Sequence, residues 1–308
     1  MSHRSHSITF LNSERLSNML KSKLLFLGFI LLFAANSIAQ NFNDSLIIHY
    51  RSLSVRAETD SLKYVYSDSL RSEIKLFLNQ PNSFEQPLTN IPYLGDIFSP
   101  DGAFRMVTWN LSLINGTYDY FCFIQKKNEQ GPIPYSWFEL TDRHKEITRP
   151  ESRSLKKENW YGALYYSIIP FKKDKKNMYV LLGWEGHNKF SNKKILECLY
   201  FNNKGEPMFG KAVFESDRMN KRRVVFEYSK EAYLMLRYNE KMKQIVYNRL
   251  EPSKPELKGV YSFYQPTLQY DSYQYKKGNW VRKLDVDPRN EKSDKVFHNP
   301  KDLKPPKK

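Results

Sequence analysis

VTWNLSLINGTYDYFCFI, residues 107–124, consists of two alternating apolar runs that meet at Asn115-Gly116. Asn-Gly is the dipeptide that most favours a two-residue type I′ turn, because both central positions of that turn need positive φ. A turn there pairs Leu113 with Tyr118, Leu111 with Tyr120, Trp109 with Cys122 and Val107 with Ile124. All eight are apolar or aromatic and share one face, as the period of two in a half-buried sheet requires. The other face mixes Thr108, Asn110, Ser112 and Asp119 with Phe121 and Phe123, so it is expected to be partly exposed or to pack against a helix.

Upstream, residues from about Asp44 to Leu78 read as helical. Asp44 can cap a helix carrying Leu46, Ile47, Tyr50 and Leu53, and Leu70, Ile74, Phe77 and Leu78 form a stripe at three- and four-residue spacing. Ser99-Pro100-Asp101-Gly102 is a strong turn signal, and beyond it the pattern changes to strands. These are expected at Tyr135–Leu140, Tyr161–Phe171, Met178–Trp184, Lys194–Phe201 and Pro207–Phe214. A three-strand meander follows over Arg223–Tyr228, Tyr233–Tyr238 and Gln244–Leu250, then a last hairpin turning at Lys276-Lys277-Gly278-Asn279. The fold class is mainly β, an antiparallel meander closing as a sandwich, barrel or propeller-like arrangement behind a short helical segment. The divisions are a leader at 1–39, a helical segment and linker at 40–95, a β-rich domain at 96–287 and a basic, disordered tail at 288–308.

The leader rests on Lys21 and Lys23, the apolar run Leu24–Ala35 and the small residues Ser37 and Ala39, the order of a secretion signal. As a helix, those twelve positions reach only ~18 Å against a bilayer core of about 30 Å, so no membrane span is expected. Cleavage after Ala39 makes Gln40 the first mature residue, and Met19 is a second candidate for the start. No cysteine stands at the cut to carry a lipid, so the product is read as soluble and exported, periplasmic or extracellular.

Loss of residues 1–39 removes four basic residues and one acidic one, and the net charge falls from +16 to +13. Such a balance suits polyanions, since counterion release favours their contact. Many basic residues come as pairs at turns, however: Lys172 and Lys173, Lys175 and Lys176, Lys193 and Lys194, Arg222 and Arg223, Lys276 and Lys277. A polyanion site needs those pairs to converge on one face; scattered, they are solvated turns and protected strand edges.

Phe98-Ser99-Pro100-Asp101-Gly102, with Phe104, Arg105 and the strand to Trp109, is similar to the turn and strand of TolB-like β-propeller repeats, although no second Ser-Pro-Asp-Gly occurs at a propeller period. Together with YVLLGWEGHNKFSNKKILE, RRVVFEYS and YDSYQYKKGNWV, the stretch 90–287 also resembles a family of exported bacterial proteins. That resemblance implies secretion and brings no activity, cofactor or catalytic residue with it.

Candidate chemistry is sparse. Glycines number 12, and phosphate-cradling loops, dinucleotide motifs and serine-nucleophile signatures are absent from the sequence, which makes large classes of cytosolic enzyme improbable. Gly183-Trp184-Glu185-Gly186-His187-Asn188 leaves an apolar strand for a polar loop. Glu185 can act as acid or base, His187 as proton shuttle and Trp184 as a stacking platform for a sugar, or the same residues can form a glycine-containing bend. The hydrolase reading needs a second carboxylate such as Asp101 or Asp271 in the same cleft. The histidines have no metal-ligand spacing, and Asp285, Asp287 and Glu291 lack the glycine of a calcium loop, so no metal and no cofactor are expected. Asp101 is expected to serve its own turn. Cys122 and Cys198 permit one disulfide or stand as two buried thiols. The function that fits best is a non-enzymatic binding or envelope-associated module contacting a glycan or a polyanionic envelope polymer, with a secreted glycan hydrolase as the rival.

Overall fold

A computed structural model describes residues 44–128, 134–217 and 219–288, so the leader and all of the tail beyond Pro288 lie outside the described residues. The helical stretch forms two helices, α1 (Ser45–Arg56) and α2 (Asp60–Leu78), parted at Thr59. Thr59 is extended (φ −117°, ψ 149°) and its side chain accepts a hydrogen bond from Leu62 N, which caps α2. Leu70, Ile74, Phe77 and Leu78 are buried, as their spacing requires.

Among the described residues, fourteen strands make three antiparallel sheets. The first holds β1 (Gly95–Phe98), β2 (Phe104–Ser112), β3 (Tyr118–Lys127) and β4 (Tyr135–Leu140) in chain order. The middle sheet runs β5 (Leu155–Lys156), β9 (Pro207–Phe209), β8 (Ser191–Phe201), β7 (Lys176–Glu185), β6 (Leu164–Lys173), with β10 (Arg223–Ser229) on the remaining length of β8. The third holds β11 (Leu236–Asn239), β12 (Gln244–Pro252), β13 (Tyr264–Lys276) and β14 (Asn279–Lys283). Alternate residues of β7 face two different cores. Tyr179 and Leu181 join Met106, Cys122 and Ile124 of the first sheet, while Met178, Val180 and Leu182 join Ile245, Tyr273 and Trp280 of the third. The middle sheet is therefore buried on both faces, and the molecule is mainly β with its helices at the N-terminal side.

The 107–124 hairpin forms, shifted by one residue from the expected register. Trp109 lies opposite Phe121 and Thr108 opposite Cys122. Gly116 N donates to Leu113 O and Leu113 N to Thr117 O, both at 2.9 Å, with Gly116 at φ 83°. This is a three-residue loop ending in a left-handed glycine, in place of the two-residue type I′ turn. Asn115 Oδ1 holds it by accepting from Thr117 N (2.9 Å) and Oγ1 (2.7 Å). Because one residue of shift exchanges the faces, the apolar set divides. Trp109 and Phe121 stack (5.2 Å) on the α2 side, where Trp109 Nε1 donates to Ser67 Oγ (3.1 Å) and Arg71 and Lys75 reach Glu139. Tyr120, Cys122 and Ile124 face the middle sheet.

Two other expectations change. β10 pairs with β8 and not with β11, so the three-strand meander is split between sheets; Arg223 lies opposite Glu197 in that pairing, a charge match across the strands. The strand begun at Pro207 stops at Phe209, because Gly210 turns at φ 83° with Arg153 O only 2.4 Å from where a Cβ would stand. β1 starts at Gly95, one residue ahead of the β-rich domain expected from 96.

Candidate functional site

Strand register brings the charged groups together. Glu185 on β7 lies opposite Lys193 on β8, which lies opposite Glu227 on β10, so one row of three adjacent strands reads acid, base, acid. After Glu185 the chain must bend, and Gly186 permits it: a Cβ there would stand 2.5 Å from the Tyr118 ring and 2.6 Å from Trp184. Gly186 N donates to the Tyr120 hydroxyl at 2.8 Å. The bend returns His187 over the row. Its Nδ1 lies 3.2 Å from Glu185 Oε1 and 2.9 Å from Lys193 Nζ, and its Nε2 lies 4.0 Å from Glu227 Oε1. Tyr161 donates to Glu185 Oε2 (2.7 Å) and Ser191 to Glu227 Oε1 (2.7 Å).

Burial grades across the row. The Glu185 side chain is 0% exposed, whereas those of Glu227 and His187 are 23% and 36% exposed. Burial pushes the Glu185 carboxyl up, but the contact with His187, the charge of Lys193 and the hydrogen bond from Tyr161 outweigh it and leave it below the usual carboxylate range. Burial raises the Tyr161 and Tyr120 phenols well above their ordinary value, with Glu185 adding to both. Deeper still, the Arg223 guanidinium stands 5.1 Å from the Tyr161 ring and pairs with Glu197, both fully buried. Burial pushes Glu197 up to about 7 against the opposing pull of Arg223.

Of the three residues singled out in the sequence, Glu185 and His187 are in contact. Trp184 sits beside them, edge-on to Tyr118 at 5.4 Å, with Lys230 over the Tyr118 ring at 5.4 Å. The second carboxylate of the row is Glu227. Asp101 accepts from Tyr179 (2.7 Å) and from Ala103 N of its own turn (3.3 Å), and Asp271 is held by Arg249 (2.6 Å) and Arg282 (3.2 Å). Among the described residues no cluster of His, Cys, Asp and Glu is placed to hold a metal, and Glu291 lies outside them. Cys122 and Cys198 are free and buried in different cores, so the permitted disulfide does not form.

A second carboxylate–histidine pair, Asp142 and His144, stands at the same two-residue spacing. His144 Nδ1 lies 2.8 Å from Asp142 Oδ1, and its ring packs edge-on against Tyr120 and Tyr161 (5.4 and 6.3 Å). Asp-x-His beside Glu-x-His is the signal in the sequence that could have found it. Asp142 also accepts from Tyr120 N (3.0 Å) and Gly162 N (3.2 Å). The pair borders a groove of about 590 Å³ between α2 and the first sheet, where Asp119 with Lys145 and Arg71 with Glu139 neutralise one another. Tyr120 and Tyr161 thus stand between the two pairs.

No protein-family profile, no curated protein and no solved structure matches this chain. Among the described residues no helix is long and apolar enough to cross a membrane.

Proposed function

We propose that the protein is an exported, non-enzymatic binding module that holds a glycan at the end of β7, around His187, Trp184 and Tyr118. Export is supported by the lysine, apolar and small-residue order of residues 21–39. The observation that carries the binding reading is the state of Glu185. A general acid must touch the leaving oxygen, yet this carboxyl is out of reach of solvent and already accepts from Tyr161 and Lys193, with His187 Nδ1 3.2 Å away. What remains partly exposed is an imidazole, the Trp184–Tyr118 pair and Glu227, groups that can stack on and hydrogen-bond to a sugar.

Titration calorimetry against soluble oligosaccharides, run beside an assay for new reducing ends, tests this. Binding without sugar release is expected, and Trp184→Ala weakens it at least about tenfold, the loss of one aromatic anchor. Sugar release by the wild type that disappears in Glu185→Gln and Glu227→Gln overturns it in favour of a hydrolase. The flanking of one imidazole by two carboxylates is the observation behind that second reading.

A further inference from the structure

The other end of β7 carries a different surface. The β6–β7 turn is Asp174-Lys175, at φ 52° and 61°, and the β13–β14 turn is Lys277-Gly278, at φ 46° and 84°. Lys173 pairs with Lys176 and Lys276 with Asn279, so both are two-residue hairpins of the type I′ kind. The two tips lie against each other. Lys173 Nζ donates to Asn279 Oδ1 (2.6 Å), the Tyr275 hydroxyl donates to Lys172 O, and a Cβ on Gly278 would stand 3.1 Å from Lys173 Cγ. Beneath them Phe171 meets Tyr275 and Trp280 edge-on, each at 5.8 Å.

Three of the lysine pairs thereby converge: Lys172, Lys173, Lys175, Lys176, Lys276 and Lys277, all exposed except the half-buried Lys173. Among the described residues none of the six joins an ion pair, and Asp174 is the single carboxylate on either tip. Lys145, Lys157 and Lys221, by contrast, sit on Asp119, Glu206 and Glu151. Six like charges held on two rigid, mutually buttressed turns repel one another, and a bound polyanion removes that cost while releasing its counterions.

We infer that the two tips form one anion-binding platform and that its partner is an acidic polysaccharide. The charges are lysine ammoniums, which act as point charges, with no arginine fork to grip a phosphate by two bonds. Tyr275 is the one exposed aromatic there, able to lie along a sugar ring, and neither tip carries an exposed aliphatic side chain to enter a bilayer. The choice of polysaccharide over nucleic acid rests on the export reading; the platform does not. Nor does it rest on the Glu185 cluster: β7 has ten residues, so at ~3.3 Å each the two places lie about 30 Å apart.

Biolayer interferometry of the full chain on immobilised polygalacturonate tests the platform, with duplex DNA and phosphatidylglycerol vesicles as parallel surfaces. Binding to the polysaccharide is expected to fall with salt, by roughly 0.7 in log K per unit of log salt for each engaged charge. Lys172→Gln/Lys175→Gln and Lys276→Gln/Lys277→Gln should each weaken it, and the four together at least about tenfold, one decade being 1.4 kcal/mol. Lys254→Gln/Lys258→Gln, which removes two charges from the exposed β12–β13 connection, should leave it unchanged. Tip variants that bind like the Lys254/Lys258 variant overturn the platform, and tighter binding to DNA or vesicles overturns the polysaccharide.

Discussion

Glu185 keeps a negative charge with none of its side chain in water, and that is stable only because Lys193, His187 and Tyr161 all reach it. A carboxyl whose folded pKa lies below its unfolded value binds fewer protons folded than unfolded. Its contribution to stability is complete above the unfolded pKa of about 4.3 and is lost as pH falls through the lowered folded value. Glu185→Gln should therefore cost about 1–3 kcal/mol at pH 7, where it leaves a buried cation short of its acceptor, and less at pH 3, as read from urea midpoints at the two pH values. An equal loss at both would mean that Glu185 is not ionised in the fold. Glu185 and His187 were legible because they flank Gly186, where an apolar strand gives way to a polar loop. Lys193, Glu227 and Tyr161 were not, since what joins them is cross-strand register and a distant loop, neither of which leaves a local trace. Asp142 and His144 did leave one, a repeated spacing, but its meaning depends on Tyr120 lying between the pairs.

At the level of elements, most strands were legible because alternation and turn residues bound them, while the register was not. Asn-Gly fits both a two-residue turn and a longer loop whose last residue is left-handed, and the choice between them decides which side chains share a face. The same three-residue loop recurs at Asn203-Lys204-Gly205, with Gly205 N on Asn202 O (2.9 Å) and φ 77°. The two sites make a controlled comparison. Gly205→Ala meets open space and should cost only the left-handed strain of about 1–2 kcal/mol. Gly116→Ala carries the same strain and also has to displace the Lys189 side chain, 2.4 Å from the new Cβ, so its loss should be the larger in thermal unfolding. Gly116→Ala costing no more than Gly205→Ala would mean that Lys189 does not lie across the loop.

For the whole molecule, the dominance of strands and the position of the helices could be read from periodicity, but the division into three sheets could not. Val224 and Phe226 are as apolar as the residues of β11 and β12, and only the opposition of Arg223 to Glu197 marks β10 as belonging to the middle sheet. Burial on both faces makes that sheet the last part to open. Native-state hydrogen exchange should be slowest in β7 and β8, and Leu181→Ala, at a fully buried position, should cost about 2–5 kcal/mol in denaturant unfolding. Cys122 and Cys198 lie on opposite sides of the same wall, and burial raises both thiols above their ordinary range. Both should stay silent to a thiol reagent in the folded protein and react together on unfolding; one thiol reacting early would show that the two cores open separately.

Clamped between two cores, β7 has no room to slide or tilt, and its ends carry the Glu185 row and the lysine tips. Because the two ends lie about 30 Å apart, substitutions made at both should change each affinity as if the other had never been made.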